Sequence, residues 1–331
     1  MKTAAYFGEF DSNNLGDVAV YTVLGDCYSS GNRITPIPLG KEFVDTSLQR
    51  KLDQCSSIMI GGGTQLTPLN ADYMRAMFRR DLKVWSFGTG VGSCGFCEEP
   101  DPDLSGIARL LKQIDPLTVR GPLSRNLLSR YGIHARVIGD PALGYAKDHV
   151  HSSWGRKIVV NLTSPVDSEE ILRFGNFLSA AAEALTVFRK KGWLIQFLAM
   201  GPGDYEYIDD FRTGFGFSDA EVGEIYTSTR AFFDYVRGAA LILSMRLHGA
   251  VLASCAGLPF LLCNYRAKCR DFTASLGLDG LLLSPNVSTK TMVGTMNLLL
   301  EKRSKISASI RSKALFFRDL QASLLENQLR Q

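Results

Sequence analysis

The sequence predicts an α/β protein of two consecutive Rossmann-like units facing each other across a cleft. Three observations predict it. Short apolar runs alternate with helical patterns along the chain, which calls for parallel strands covered by helices on both faces. The 331 residues suit two units of ordinary size. The alternation breaks once, at the polar stretch 147–156 (KDHVHSSWGR), and then resumes. The expected division is residues 1–146, residues 157–303 and a terminal helix over 304–331.

The first unit opens with a strand over Thr3–Phe10 and an apolar helical stretch over Val18–Cys27. Ser57–Ile60 reads as a buried strand ending in Gly61-Gly62-Gly63, and Lys83–Phe87 as another ending in Gly88-Thr89-Gly90. Pro116–Arg120 and Arg136–Ile138 complete the strands. Helices are expected at Ser47–Leu52, Asp72–Arg80, Leu104–Gln113 and Pro122–Tyr131. In the second unit Lys157–Leu162 is a strand. A helix start at Asp167 or Ser168 follows, with Glu169 and Glu170 in its first turn. Ile171, Phe174, Leu178, Ala181, Leu185 and Phe188 recur at spacings of three and four and give that helix one apolar face. Trp193–Ala199, Ala240–Leu243 and Phe260–Cys263 are further strands, a helix runs from about His248 through Ala256, and Ser304–Leu325 is a basic helix.

Composition excludes several classes. Hydrophobic residues are 45% and charged residues 21%, so neither a disordered nor a fibrous chain is expected. The net charge of +4 suits small anions or a membrane surface and is too weak to argue for nucleic acid. No run reaches the roughly 18 apolar residues of a membrane span, and no signal peptide is apparent, which points to the cytoplasm. The seven cysteines do not form a disulfide framework, and the Cys94/Cys97 pair lacks a second ligand pair for zinc. No metal or cofactor is expected.

Open parallel sheets bind ligands beyond the carboxyl ends of their strands. The candidates therefore sit just after the strands. After the first comes a turn holding Asn14 and Asp17, which either contact an anion or sugar or simply cap the helix. Gly62, Gly63, Thr64 and Gln65 follow the next strand, where glycines let a ligand approach the backbone and Thr64 and Gln65 add donors. Arg120 stands at a strand end with Pro122 opening the next helix; its planar fork matches carboxylate or phosphate, or pairs with an acid. Ser124 bonds an anion or caps the turn. Asp140, held before Pro141, accepts from sugar hydroxyls or closes a turn. In the second unit Arg246 and His248, with Leu247 between them, follow a buried strand closely enough to address one ligand, and a histidine there can move protons near neutral pH. Tyr265, Lys268 and Arg270 supply a polar, basic loop after the next strand.

The ordered set Asn14-Leu15-Gly16-Asp17, Gly61-Gly62-Gly63-Thr64, Val119-Arg120 with Ser124, Gly139-Asp140-Pro141-Ala142, and Ser244-Met245-Arg246-Leu247-His248-Gly249 followed by Ala256-Gly257-Leu258-Pro259 resembles the polysaccharide pyruvyl transferase family. It departs from the family pattern at Gly121, where an acid usually follows the arginine. The resemblance implies a GT-B-like fold of two facing Rossmann-like domains. It also implies transfer from phosphoenolpyruvate onto two hydroxyls of one sugar of a polysaccharide or its precursor, giving a cyclic pyruvate ketal. Arg120, Arg246 and His248 would then be donor-site residues, with Asn14, Asp17 and Gln65 on the acceptor side or cleft wall. The acceptor stays open among a free glycan, a nucleotide sugar and a lipid-linked intermediate, as does the oligomeric state. The basic terminal helix suits either an anionic membrane surface or, the favoured reading, a brace between the domains. The alternatives are a nucleotide-sugar glycosyltransferase on the same architecture and a catalytically silent sugar- or anion-binding protein.

Overall fold

A computed structural model describes residues 3–10, 12–28, 33–37, 52–78, 82–92, 100–147, 154–165 and 168–330. The expected Ser47–Leu52 helix (apart from Leu52), the Cys94/Cys97 pair and Asp167 lie outside the described residues. The first sheet is parallel with order β2 (Arg33–Ile37), β1 (Thr3–Phe7), β3 (Ser57–Ile60), β4 (Lys83–Ser86). It is extended past β4 by the parallel pair β5 (Thr118–Val119) and β6 (Arg136–Val137), joined through a Thr89–Val119 bridge and the Ser86 amide donating to the Pro116 carbonyl. Strand β2 was not expected from the sequence. It carries Pro36 and lies at the sheet edge, the place in a sheet where proline is tolerated.

The second sheet is parallel with order β12 (Leu282–Leu283), β11 (Phe260–Cys263), β10 (Ala239–Ser244), β7 (Lys157–Asn161), β8 (Leu194–Ala199), β9 (Val222–Glu224). Taken in chain order, this is the doubly wound 3-2-1-4-5-6 arrangement of a dinucleotide-type fold, while the first sheet follows the 2-1-3-4-5 pattern. Each order reverses once, between β1 and β3 and between β7 and β10. A crevice opens at each reversal because the connections leave toward opposite faces. Both crevices face the space between the sheets, and this places the site.

All the helices but the one over Leu247–Cys255 leave one side to solvent. Helix α1 (Leu15–Asp26) buries Leu15, Ala19, Val20 and Val23. Helices α2 (Ala71–Phe78), α3 (Ala108–Leu111) and α4 (Pro122–Ser129) complete the first unit. In the second, α5 (Ser168–Lys190) buries Phe174, Ala181, Leu185 and Phe188 of the expected face, with Phe177 beside them; Leu178 is only partly buried, and Ile171, in the first turn, is exposed. Helices α6 (Asp204–Gly214) and α7 (Thr229–Tyr235) follow, then α8 (Leu247–Cys255), which is buried nearly throughout. Helix α9 (Ala267–Leu276) replaces the polar loop expected there, so Lys268 and Arg270 are helical; it is capped at its carboxyl end by Gly277 in the left-handed region (φ 67°).

After α10 (Thr289–Glu301), the terminal helix α11 (Arg303–Arg330) crosses back to the first unit. Its buried residues Ile310, Ala314, Phe317 and Leu324 face the core. Ser307 Oγ donates to the Gly257 carbonyl of the second unit, and Gln321 Nε2 donates to the Ile138 and Asp140 carbonyls of the first, each at 2.9 Å. The helix therefore braces both units and fixes the loop that carries Asp140.

Candidate active site

A cavity of about 440 Å³ opens between the two sheets at the carboxyl ends of their strands. From the first unit it is lined by Glu9, Asn14 and Asp17 after β1, by Gly63, Thr64, Gln65, Thr67, Leu69, Asn70 and Tyr73 after β3, and by Arg120 after β5. From the second come Arg246, Leu247 and His248 after β10, and Tyr265 and Lys268 after β11. The arginines of opposite units thus converge on one pocket with an imidazole between them. A second cavity, about 560 Å³, lies at the amino ends of the second sheet's strands. Its charges are satisfied locally: Asp234 pairs with Arg230 and Arg237, Asp26 accepts from Tyr145, and Lys147 sits over the Phe233 ring. The inter-sheet cavity is the one equipped to bind an anion.

Arg120 is 2% exposed, and its Nε and Nη1 have no hydrogen-bond partner among the described residues. Gly90 makes room for it: a Cβ there would lie 2.6 Å from Arg120 Nη2. The nearest counter-charge is Asp140, fully buried, whose Oδ2 is 3.7 Å from Arg120 Nη1 and 3.7 Å from His248 Nε2. Its Oδ1 accepts from the Ala142 amide at 3.1 Å. Asp140 therefore closes its turn and also stands beneath the arginine and the histidine, one carboxylate serving a guanidinium and an imidazole from opposite units.

Burial alone would push the Asp140 carboxyl up, but the His248 and Arg120 charges and the Ala142 amide outweigh it and hold the carboxyl below its ordinary value of 3.8. A carboxyl depressed on folding adds stability above its unfolded value, and that stability is lost as pH falls through the lower folded value. Asp140→Asn is accordingly expected to be less stable than the parent above about pH 4, the margin closing below that. Urea titrations of both proteins between pH 7 and pH 2.5 check this; a margin that stayed fully open down to pH 2.5 would contradict it.

His248 opens helix α8 and leans on the other unit. A Cβ on Gly16 would lie 2.1 Å from His248 Nδ1, so the glycine of the Asn14–Asp17 motif is the floor under the imidazole. The Leu15 amide donates to the Met200 carbonyl at 2.8 Å beside it, tying the first turn of α1 to the second unit. Asn14 Oδ1 accepts from the Gly16 amide as the cap of α1, and Asp17 accepts from Ser12 Oγ.

Arg246 is fixed by a residue that sequence reasoning missed. Asp204, buried at the start of α6, receives Arg246 Nε and Nη2 at 2.6 Å each. It also accepts from the Met200 and Ser164 amides. Gly201 leaves space for the guanidinium, since a Cβ there would be 2.6 Å from Nη2. Asn161 Oδ1 accepts the Arg246 amide and Ser244 Oγ, holding the strand-to-helix turn. The signal available in the sequence was the Gly201-Pro202-Gly203-Asp204 turn entering a helix.

Lys268 is half-buried, with no ion-pair partner among the described residues. Burial depresses its ammonium; Cys269 opposes this, Arg120 and Arg266 push the same way as burial, and Asp17 opposes weakly. Tyr265 is buried against Phe174, ring centroids 5.5 Å apart, and burial raises its phenol.

The other expected ligand residues are placed differently. The Gln65 side chain is spent internally: Nε2 donates to the Gly62 carbonyl and Oε1 accepts from Asn70. Gly62 packs against Val20 beneath the cavity wall. Ser124 lies in an adjoining crevice of about 40 Å³ that shares Thr64, Arg120 and Lys268 with the main cavity. Glu9, Thr67, Leu69, Asn70 and Tyr73 join the lining without having been expected; Thr67 caps the short 3₁₀ segment Pro68–Asn70 that holds Leu69 and Asn70, and Tyr73 follows in α2. Burial, with help from Asp17, raises the Glu9 carboxyl. Among the described residues, no group of three His, Cys, Asp or Glu could hold a metal ion.

Known structures share the architecture. The UDP-GlcNAc 2-epimerase of Neisseria meningitidis is 13% identical with TM-score 0.58, the match covering 100% of each chain. That of Methanocaldococcus jannaschii is 12% identical with TM-score 0.56, covering 92% of this chain and 94% of the other. An O-GlcNAc transferase of Thermobaculum terrenum is 11% identical with TM-score 0.54, covering 100% and 67%. At such identities the likeness concerns the fold, which is GT-B-like. No curated protein matches the chain in sequence. The polysaccharide pyruvyl transferase family model matches residues 14–266, a span that begins at the Asn14 cap, takes in Arg120, Asp140, Asp204 and His248, and ends beside Lys268. The chain belongs to the polysaccharide pyruvyl transferase family.

Proposed function

We propose that the chain transfers the three-carbon unit of phosphoenolpyruvate to two hydroxyls of one sugar, forming a cyclic pyruvate ketal and releasing phosphate. The observation that carries this reading is Arg120: a guanidinium that is buried and, among the described residues, lacks hydrogen-bond partners at Nε and Nη1, facing the same cavity as Arg246, His248 and Lys268. A buried cation left under-satisfied is costly unless an anion completes it. Phosphoenolpyruvate carries a phosphate and a carboxylate, and guanidinium groups suit both.

In this scheme His248 gives a proton to the methylene carbon of the enol, and C2 acquires oxocarbenium character. One sugar hydroxyl forms a bond to C2 and its proton returns to the imidazole. The C2–O bond to phosphate breaks, phosphate leaves with the pair of electrons, and the second hydroxyl closes the ring as its proton passes to phosphate. Arg120 and Lys268 offset charge on the departing phosphate, and Asp140 supports the protonated imidazole. The opposite wall, with Glu9, Asp17, Thr67 and Asn70, offers acceptors and donors for sugar hydroxyls, and a nucleotide-linked or lipid-linked saccharide is an acceptor of that class.

The test is direct. Phosphoenolpyruvate at about 100 times its dissociation constant is expected to stabilise the protein by about 2.7 kcal/mol, read as a rise in melting temperature. Incubation with phosphoenolpyruvate and a panel of sugars should give an acceptor mass gain equal to a pyruvate ketal. Stabilisation by UDP-sugars with no response to phosphoenolpyruvate would replace this reading by the nucleotide-sugar glycosyltransferase.

A further inference from the structure

Gly121, directly after Arg120, has no side chain of its own, and the space is taken by the other unit. A Cβ at Gly121 would lie 2.1 Å from Asp271 Oδ1 and 2.4 Å from the Asp271 main-chain oxygen. Asp271 is 3% exposed and belongs to α9. Its Oδ1 accepts from the Leu123 amide at 2.8 Å and the Ser124 amide at 3.3 Å, and Oδ2 accepts from Ser124 Oγ at 2.6 Å. These amides belong to the first turn of α4, where Gly121 offers no side-chain cap. The Ser124 hydroxyl in turn accepts from the Val91 amide at 3.0 Å, next to Gly90, which borders Arg120. Lys268 and Asp271 are three residues apart on α9 and so share a helix face.

We infer that Asp271 is a positioning residue: it caps α4 from across the cleft and thereby fixes the separation of Arg120 and Lys268, so that the anion pocket stands preassembled instead of forming on domain closure. The carboxylate acts through Leu123 and Ser124 and touches no ligand. The inference goes beyond the phosphoenolpyruvate reading in its first readout and rests on it in its second.

The experiment compares Asp271→Ala with Asp271→Asn, whose amide keeps the shape, the acceptor for both N–H groups and a partner for Ser124. Fluorescent labels replace the exposed residues Arg109 and Lys290, one on each unit, for inter-domain distance measurement. Phosphoenolpyruvate binding is followed by calorimetry. Asp271→Ala should broaden the inter-label distance distribution and weaken phosphoenolpyruvate binding by at least about tenfold, while Asp271→Asn retains both parent values. If Asp271→Ala does not fold, Gly121→Ala takes its place, since its methyl must displace the Asp271 main chain, and the same two changes are expected. A folded Asp271→Ala or Gly121→Ala protein with the parent's distance distribution overturns the inference. Should the parent protein bind no phosphoenolpyruvate, the functional reading fails, and the label distances alone decide the role of Asp271.

Discussion

Replacing His248 by alanine is expected to lower turnover by at least about 10²-fold, the usual worth of a positioned proton-transfer group. The argument rests on place as well as on residue type. The ring sits on Gly16 of one unit at the head of α8 of the other, with Nε2 directed to the buried Asp140 carboxylate at 3.7 Å. Among the described residues, no second imidazole lines the cavity to take over the proton. Arg120, Arg246 and Lys268 remain in the variant, so binding of phosphoenolpyruvate should fall much less than turnover. Single-turnover assays with labelled phosphoenolpyruvate, alongside calorimetric affinity, separate the two. Turnover within threefold of the parent would remove His248 from proton transfer.

The largest effect on stability is expected from Asp204→Ala, at about 3 kcal/mol or more, measured by urea denaturation at neutral pH. Asp204 is fully buried and makes two 2.6 Å bonds to Arg246. Its loss leaves that guanidinium, 19% exposed in its side chain, without its counter-charge. It also strips the acceptor from the Met200 and Ser164 amides. Removing one partner of such a pair costs far more than the pair contributes as a whole, because the remaining charge keeps its desolvation penalty. Arg246→Met together with Asp204→Leu should accordingly recover part of the loss in stability while abolishing anion binding. A loss below about 1 kcal/mol in Asp204→Ala would show that the pair is solvated and not buried.

The strands with continuous apolar runs were legible in the sequence, Phe260–Cys263 to the residue and Ser57–Ile60 likewise, because strands covered on both faces need apolar residues at every position. Most edge strands were not, Arg136–Val137 excepted. Val222–Glu224 and Leu282–Leu283 are two or three residues long, and β2 contains a proline, so none shows a period. Helices α6, α7, α9 and α10 also escaped. In α9 the buried face mixes Asp271 and Thr273 with Cys269, Phe272 and Leu276, and its polar, basic start read as loop. The missed caps were visible in principle: Ser228 and Ser288 each accept from an amide three residues on.

Local chemistry along the chain was enough to establish an α/β alternation, glycine-rich turns after the strands, and Arg120, Arg246 and His248 as the groups to watch, because strand periodicity and turn geometry depend on near neighbours. Which carboxylates answer those cations depended on folding. Asp140 meets a histidine over a hundred positions later, Asp204 clasps an arginine 42 residues on, and Asp271 caps a helix from 147 residues away. Such pairings leave no spacing in the chain. They arise only when two sheets turn their crevices toward each other and burial makes every unpaired charge between them expensive.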